Sequence, residues 1–481
     1  MRMKPRQWAV IVTEAVLLFG VLGALAWLLL LNPHTPVTPP QTVTQAEAVS
    51  LTPAATDTPA PVPMALFTPL PTRTPQPTNT RVISRVALNQ GDIDQIEQQV
   101  ARLRGIRPRA TVPTEFLTRA QMMDTVRKGY ESDQDAAHKE IALYRALGLI
   151  PTQAQVDSEA MVKMVAASIA GFYDPHDKRL YVISDLENLG ADEKATLAHE
   201  YTHALQDQQF DLTQYQNRAQ RGTTDLHLAL SSVVEGDATT VMSIYLYGNT
   251  TQSEWSYLAY RASFSDRSLI TATNISTRVN EISYFPYVQG SQFIVKLWLD
   301  GQGWTQVNHA YADPPQSTSI VLHPERYLTR YATPAPVPLP DLGPVIGKGF
   351  TPTIKTDTLG EFITSVHLDE FLQDPGRAAQ AADGWEGDNF TLWQGPGDQQ
   401  AFAWQIAWDT PRDVDEFWEA YSALLRKRVG ASLTVERQDA NLRWYSGSAG
   451  CGLIRKSRTG EQTLILWGPD KATVDKLLAH F

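Results

Sequence analysis

The chain of 481 residues contains one cysteine, Cys451. A single thiol excludes an intramolecular disulfide, a cysteine-built zinc site and an upstream lipobox anchor. Positive charge is also sparse: 41 Lys and Arg stand against 52 Asp and Glu, a formal charge of −11. No basic stripe with interleaved aromatics occurs, which argues against a nucleic-acid binder. Between Asn32 and Arg81 both charges and large apolar side chains are few, and Pro, Thr and Ala dominate. Such a segment buries too little surface to offset the entropy of ordering, so it reads as an extended stalk over 32–81. Elsewhere apolar residues are plentiful. Twelve Trp and 43% hydrophobic residues, in a chain of this length, indicate two folded domains plus appendages.

One long apolar run exists, Trp8–Leu31, and as a helix it would span about 36 Å, enough to cross a bilayer. Arg2, Lys4 and Arg6 precede it and no cationic cluster follows, so residues 1–7 are expected in the cytoplasm and everything after Leu31 outside. Ala24-Leu25-Ala26 offers the alternative of a cleaved signal peptide. Trp27 and four leucines continue the run beyond it, which favours an uncleaved single-pass anchor over 8–31. Glu14 within the span carries no functional reading. A shorter Pro-rich stretch, 333–352, is expected to link a domain over 82–332 to a module over 353–481.

Hydrophobic spacing predicts helices over Asp92–Arg104, Arg119–Arg127, Ala136–Leu149 and Asp192–Gln209. A further helix runs through Leu228–Tyr247, and another from Pro286 to Leu299 with Tyr287, Ile294 and Leu297 inward. Thr111–Leu117 reads as a strand. Ala170–Tyr173 and Arg179–Ser184 read as a pair of strands around the turn Asp174-Pro175-His176-Asp177. Beyond Thr353, Leu359–Phe371, Arg377–Ala382, Asp413–Arg426 and Lys471–Ala479 look helical. Phe402, Trp404, Ile406 and Trp408 alternate onto one face of a strand, and three short strands follow up to Trp467. The fold class is α+β, with a mostly antiparallel C-terminal module whose Trp residues are core and which holds no catalytic constellation.

The helix Asp192–Gln209 carries His199-Glu200-Tyr201-Thr202-His203. A helix brings residues four apart onto one face, so both imidazoles can reach one ion, and Glu200 between them can take a proton from a water on it. Uncharged neighbours, Thr196-Leu197-Ala198 and Ala204-Leu205, allow the helix to be buried. Zinc needs a third protein ligand. Gln206 and Gln209 occupy the places where a third histidine of the extended motif would stand. Downstream, the apolar run Leu228–Val234 ends in Glu235-Gly236-Asp237-Ala238. A carboxylate in such a helix is costly unless paired or metal-bound, so Glu235 is the expected third ligand. Asp207 and Asp211 are rivals, and Asp207, one turn past His203, could instead orient a ligand imidazole. His176, in a polar turn, reads as solvated.

His199–His203 followed by Glu235-Gly236-Asp237-Ala238 resembles the gluzincin type of zinc metallopeptidase. Gly171-Phe172-Tyr173-Asp174-Pro175, the run His199–Leu212, and Ser317-Thr318 leading to Leu322-His323-Pro324-Glu325-Arg326-Tyr327 resemble bacterial membrane-anchored zinc proteases of uncharacterised substrate. The resemblance spans Val82–Tyr327, with an echo at Gly384-Trp385-Glu386-Gly387-Asp388. It implies a zincin-like domain with a small mixed sheet and active-site helices, a Zn2+ cofactor, and a peptide or protein substrate laid along the strand before the motif helix. It also implies a hydrogen donor facing the ion, for which His323 is the candidate and Tyr327 the reserve. Gluzincins place an Asp four residues after the ligand Glu, where this chain has Thr239. The expected activity is zinc-dependent endopeptidase at the outer face of the membrane. The rivals are a catalytically silent zincin-fold binding protein and a structural envelope protein, and the intact Glu200 speaks against both.

The topology is testable on whole cells. Protease added outside should release the folded part by cutting within 32–81; protection until lysis would reverse the orientation.

Overall fold

The computed structural model describes residues 90–132, 134–151, 171–183, 190–251, 276–329, 333–347 and 349–481. The expected anchor and stalk lie outside the described residues, among which no helix is long and apolar enough to cross a membrane. The described chain is α+β.

Helix α1, Gln90–Arg104, turns Ile93, Ile96 and Val100 inward at helical spacing. Strand β1, Thr114–Leu117, then leads into helices α2, Arg119–Ser132, and α3, Gln134–Ala146. Strands β2, Gly171–Asp174, and β3, Arg179–Ile183, pair antiparallel, and β1 joins β3 in parallel. The order β1-β3-β2 leaves β2 at the edge of the sheet. Asp174 closes the hairpin, its Oδ1 accepting the N–H of His176 at 2.8 Å and of Asp177 at 3.3 Å. Helix α4, Ala191–Phe210, packs against this sheet. Gly171 is required there: a Cβ would meet Thr196 Cγ2 of α4 at 2.7 Å. Asp211 ends α4 in the left-handed region, φ 58°, and caps α5, Leu212–Arg221, by accepting the N–H of Gln214. Helices α6, Thr224–Asn249, and α7, Arg278–Asp300, follow, then the short α8, Trp304–Ala312, α9, Thr318–Leu322, and α10, Pro324–Thr329.

The C-terminal half is a seven-stranded antiparallel sheet. After the single-turn α11, Gly343–Ile346, come β4, Thr351–Asp357, helices α12, Gly360–Leu372, and α13, Pro375–Ala382, and strands β5, Trp385–Gln394, and β6, Gln400–Trp408. Helix α14, Pro411–Arg428, strands β7, Thr434–Gln438, β8, Leu442–Gly447, β9, Gly450–Lys456, and β10, Gln462–Gly468, and helix α15, Lys471–Leu478, complete it. Phe402, Trp404, Ile406 and Trp408 of β6 do face one side, packed with Phe417 and Tyr421 of α14. The opposite side is equally buried: Ala401 and Ala403 lie with Val474 and Leu477 of α15 and Ile346 of α11. Small residues on that face let the covering helices approach.

The two halves share one core, which runs from Leu230 and Val233 of α6 through Ile363 and Val366 of α12 to the sheet. The C-terminal half also closes the end of α3. The Ala146 carbonyl, which has no partner within the helix, accepts from Arg428, the following Leu147 carbonyl accepts from His367 Nδ1 at 2.8 Å, and Ala142 O, already bonded in the helix, also accepts from Gln400 Nε2.

Two expectations differ from the structure. Pro286 does not start its helix; α7 begins at Arg278 and carries Pro286 inside. The lost hydrogen bond is outweighed by burial of Ile282 and Phe285 in the turn before it. Strands β4 and β5 were not expected, and four short strands, not three, lie between α14 and α15. The edge strands β4 and β7 are mostly exposed and lack the apolar alternation that marks a strand, and in β5 Gly387, Asp388 and Asn389 interrupt it.

Helices α6 and α7 cross with backbone in contact. A Cβ on Gly236 would lie 2.2 Å from the carbonyl carbon of Gly290, and one on Gly290 would lie 2.4 Å from Ser232 O. No side chain can be accommodated without parting the helices. Alanine is the better helix former by about 1 kcal/mol, but the overlap is with backbone and cannot be relieved by a rotamer change. Gly236→Ala should therefore destabilise the protein by about 2 kcal/mol or more in urea unfolding; a neutral or stabilising result would show the crossing to be looser.

Candidate metal centre

The α4 register places His199 and His203 on one buried face, and the α6–α7 crossing brings Glu235 against them. His203 Nε2 lies 3.0 Å from His199 Nε2, and Glu235 Oε2 lies 3.3 Å from each. Donors about 2.0–2.2 Å from a tetrahedral ion are themselves about 3.3–3.5 Å apart, so the spacing suits zinc. The donor set, two imidazole nitrogens and a carboxylate, suits it as well, and the triangle uses three positions, leaving a fourth. The three residues are 2–6% exposed. Their charges are mutually balanced: burial would raise the Glu235 carboxyl, but the neighbouring imidazoles outweigh it and hold it down to about 2. Burial would likewise lower the His203 imidazole, but Glu235 holds it up to about 9.

The tautomer of His203 follows from its neighbour. Gln206 Nε2 donates to Val234 O at 3.0 Å and to Asp237 Oδ2 at 3.1 Å, so the amide oxygen must face the ring, 2.8 Å from Nδ1. Nδ1 therefore carries the hydrogen of the neutral ring, and the lone pair of Nε2 points at His199 and Glu235. Asp237 is fixed in turn by the Arg104 guanidinium at 2.7 Å and by the Tyr311 hydroxyl at 2.8 Å, with Arg104 also reaching Asn308 Oδ1 and stacking on Trp304. Arg104 and Asp237 are fully buried. The Thr239 hydroxyl has no hydrogen-bond partner among the described residues.

Glu200, beside the two imidazoles on α4, is also held by the sheet. Its Oε2 accepts the backbone N–H of Tyr173 on β2 at 2.9 Å, and the group is 4% exposed. Burial raises its pKa, with Glu235 adding to the rise and the two imidazoles opposing it. Such a carboxylate takes up a proton more readily than an exposed one. Asp207 does not reach an imidazole. Its Oδ2 accepts from the Tyr173 hydroxyl at 2.7 Å and from Lys178 Nζ at 2.6 Å, and its Oδ1 from the Leu212 N–H at 3.1 Å. It ties α4 to the hairpin whose Tyr173 amide holds Glu200, and the role of orienting His203 belongs to Gln206.

The structure thus brings together His199, Glu200, His203 and Glu235. It does not bring His323 to them. His323 Nε2 lies 2.9 Å from Glu361 Oε1. The preceding α9 is anchored by Asp225, which accepts from Thr318 and stands on α6 about 15 Å along the axis from Glu235. The Tyr327 hydroxyl donates to Asp313 O. Asp211 is a helix cap, and His176 is partly exposed beside Asp174. Tyr287, buried on α7, stacks on His199 with ring centroids 6.1 Å apart. Arg104, Asp237, Gln206 and Tyr173 were missed as supporting residues. Asp237 left a trace, a second acid in an apolar helix; Arg104, at the end of its helix, carried no signal of its burial.

A family model described as "Domain of unknown function (DUF8575)" matches residues 350–478, the C-terminal sheet and its helices. Among curated proteins and among solved structures nothing matches the chain.

Gln206→Ala removes the acceptor that sets the His203 tautomer and should weaken zinc binding by about 10- to 100-fold. Asp207→Asn, which touches no ligand, should leave zinc affinity near that of the parent. Competition with a chelator separates the two; the opposite ordering would return the orienting role to Asp207.

Proposed function

We propose that the chain is a zinc-dependent peptidase of the gluzincin type, with residues 82–332 forming a zincin-like domain. The observation that carries the reading is the buried triangle of His199, His203 and Glu235 at metal-ligand spacing, with an intact carboxylate, Glu200, on the helical turn between the two imidazoles. A structural metal site needs no such base.

Zinc in this triangle would supply Lewis acidity, lowering the pKa of water and polarising a carbonyl. Glu200, held by the Tyr173 amide through one oxygen, takes the proton of the attacking water with the other and passes it to the leaving amine. Its raised pKa suits both transfers. Gln206 and Asp237 hold His203 so that the lone pair of its Nε2 faces His199 and Glu235, where the ion would sit. His323 has no part in this reading, since its Nε2 is engaged by Glu361. The cationic start, apolar run and Pro-Thr stretch of the first 81 residues support an anchored enzyme working outside the cell.

Glu200→Gln keeps shape and removes the proton acceptor. Turnover on a mixed peptide pool should fall by at least about 100-fold while zinc stays bound. Unchanged cleavage by this variant would sink the mechanism, and absence of cleavage by the parent across such pools would favour the silent binding protein.

A further inference from the structure

The seam between the two halves carries a second set of donors, outside the peptidase reading. His323 ends α9, Glu361 sits in the first turn of α12, and Asp383 follows α13. His323 Nε2 is 2.9 Å from Glu361 Oε1 and 3.6 Å from Asp383 Oδ1, and one donor atom from each residue lies within 4.8 Å of the others. These separations bracket the edge of a tetrahedron around a zinc-sized ion, about 3.3–3.5 Å. The donors come from three elements far apart in sequence, so the fold and not local spacing assembles them.

A separate observation calls for a cation. Glu361 has a side chain only 6% exposed, and among the described residues its Oε2 has no hydrogen-bond partner. Asp225, buried across Gly360 from it, likewise leaves its Oδ2 without one among the described residues. Buried carboxylate oxygens are normally paired, bonded or bound to metal. Among the described residues the positive groups paired with these acids are His323, whose Nε2 meets one Glu361 oxygen, and Arg326. Asp383 Oδ1 accepts the Gly384 N–H at 2.9 Å and a long contact from Arg326 at 3.4 Å, and the exposed carboxylate keeps further lone pairs for an ion.

We propose that His323, Glu361 and Asp383 bind a second divalent transition-metal ion, zinc by donor type, which pins the α9–α10 corner to the α12–α13 corner of the C-terminal half. One nitrogen and two carboxylate oxygens at a partly open site leave room for water. The ion neutralises the acids of the seam and acts as a clamp between halves. The inference stands apart from the peptidase reading, because it uses none of that site's residues.

Zinc uptake by the full chain, stripped with chelator and titrated with zinc alone, tests it. The parent should take up two equivalents, and His199→Ala with His203→Ala should keep one. Adding Asp383→Asn, at an exposed position that disturbs no packing, should remove the remaining equivalent or weaken it severely. Zinc should also raise the melting temperature of the His199→Ala, His203→Ala chain, and Asp383→Asn should abolish that rise. No zinc uptake by the His199→Ala, His203→Ala chain, or an equivalent indifferent to both His323→Ala and Asp383→Asn, would overturn the proposal. Uptake of a single equivalent that His323→Ala removes and the other pair of changes does not would instead sink the peptidase reading and leave this one standing.

Discussion

The contact on which the centre depends has no side chain in it. Where α6 and α7 meet at Gly236 and Gly290, the helices close to backbone distance. This closeness sinks α6 deeply enough to bury Glu235 and Asp237 on either side of the crossing glycine. Buried carboxylates two residues apart on a helix point in different directions, about 200° round the axis. Glu235 meets the imidazoles of α4, and Asp237 meets Arg104 at the end of α1. One tight crossing therefore supplies both a candidate ligand and the anchor of its support.

Electrostatic compensation is divided accordingly. Asp237 has its own guanidinium, so its charge is satisfied without metal. Glu235 is paired with the two imidazoles, and its charge raises the pKa of His203. A buried ion pair that stays paired is seldom a large source of stability, but it is costly to break and it fixes geometry. Arg104 and Asp237 therefore matter as a rigid mount for Gln206, through which a neutral amide meets His203. A carboxylate in that place would make the ligand more basic; the amide orients it without adding charge.

Much of this was legible in the sequence, unevenly. Helices α1, α4 and α12 emerge near their expected bounds, and in α1 the periodic burial of Ile93, Ile96 and Val100 is a local signal. His199, Glu200 and His203 were readable for the same reason: four-residue spacing on a helix is geometry in one dimension. Glu235 was readable from the cost of its burial. Gln206 was not, since a glutamine on a helix has many ordinary explanations, and its role depends on Val234 and Asp237 some thirty residues away. Asp207 misled because sequence proximity to His203 suggested contact, while the side chain turns to the hairpin. His323 was drawn into the centre by resemblance, and only the packing of α9 against α6 and α12 sets it at the seam. Long-range partners of this kind leave no mark on local pattern.

The way the C-terminal half closes the end of α3 bears on cooperativity. Arg428 is half-buried with no carboxylate partner among the described residues, is stacked on Trp467 at 4.1 Å, and donates to a helix carbonyl of the other half. Opening the seam would strand that cation in an apolar, aromatic surround and leave the carbonyls of Ala142, Ala146 and Leu147 without these partners. Loosening the seam therefore gives up these bonds and the cation–aromatic contact together. The boundary that reads as a linker in sequence is therefore the place where the molecule is least able to come apart gradually.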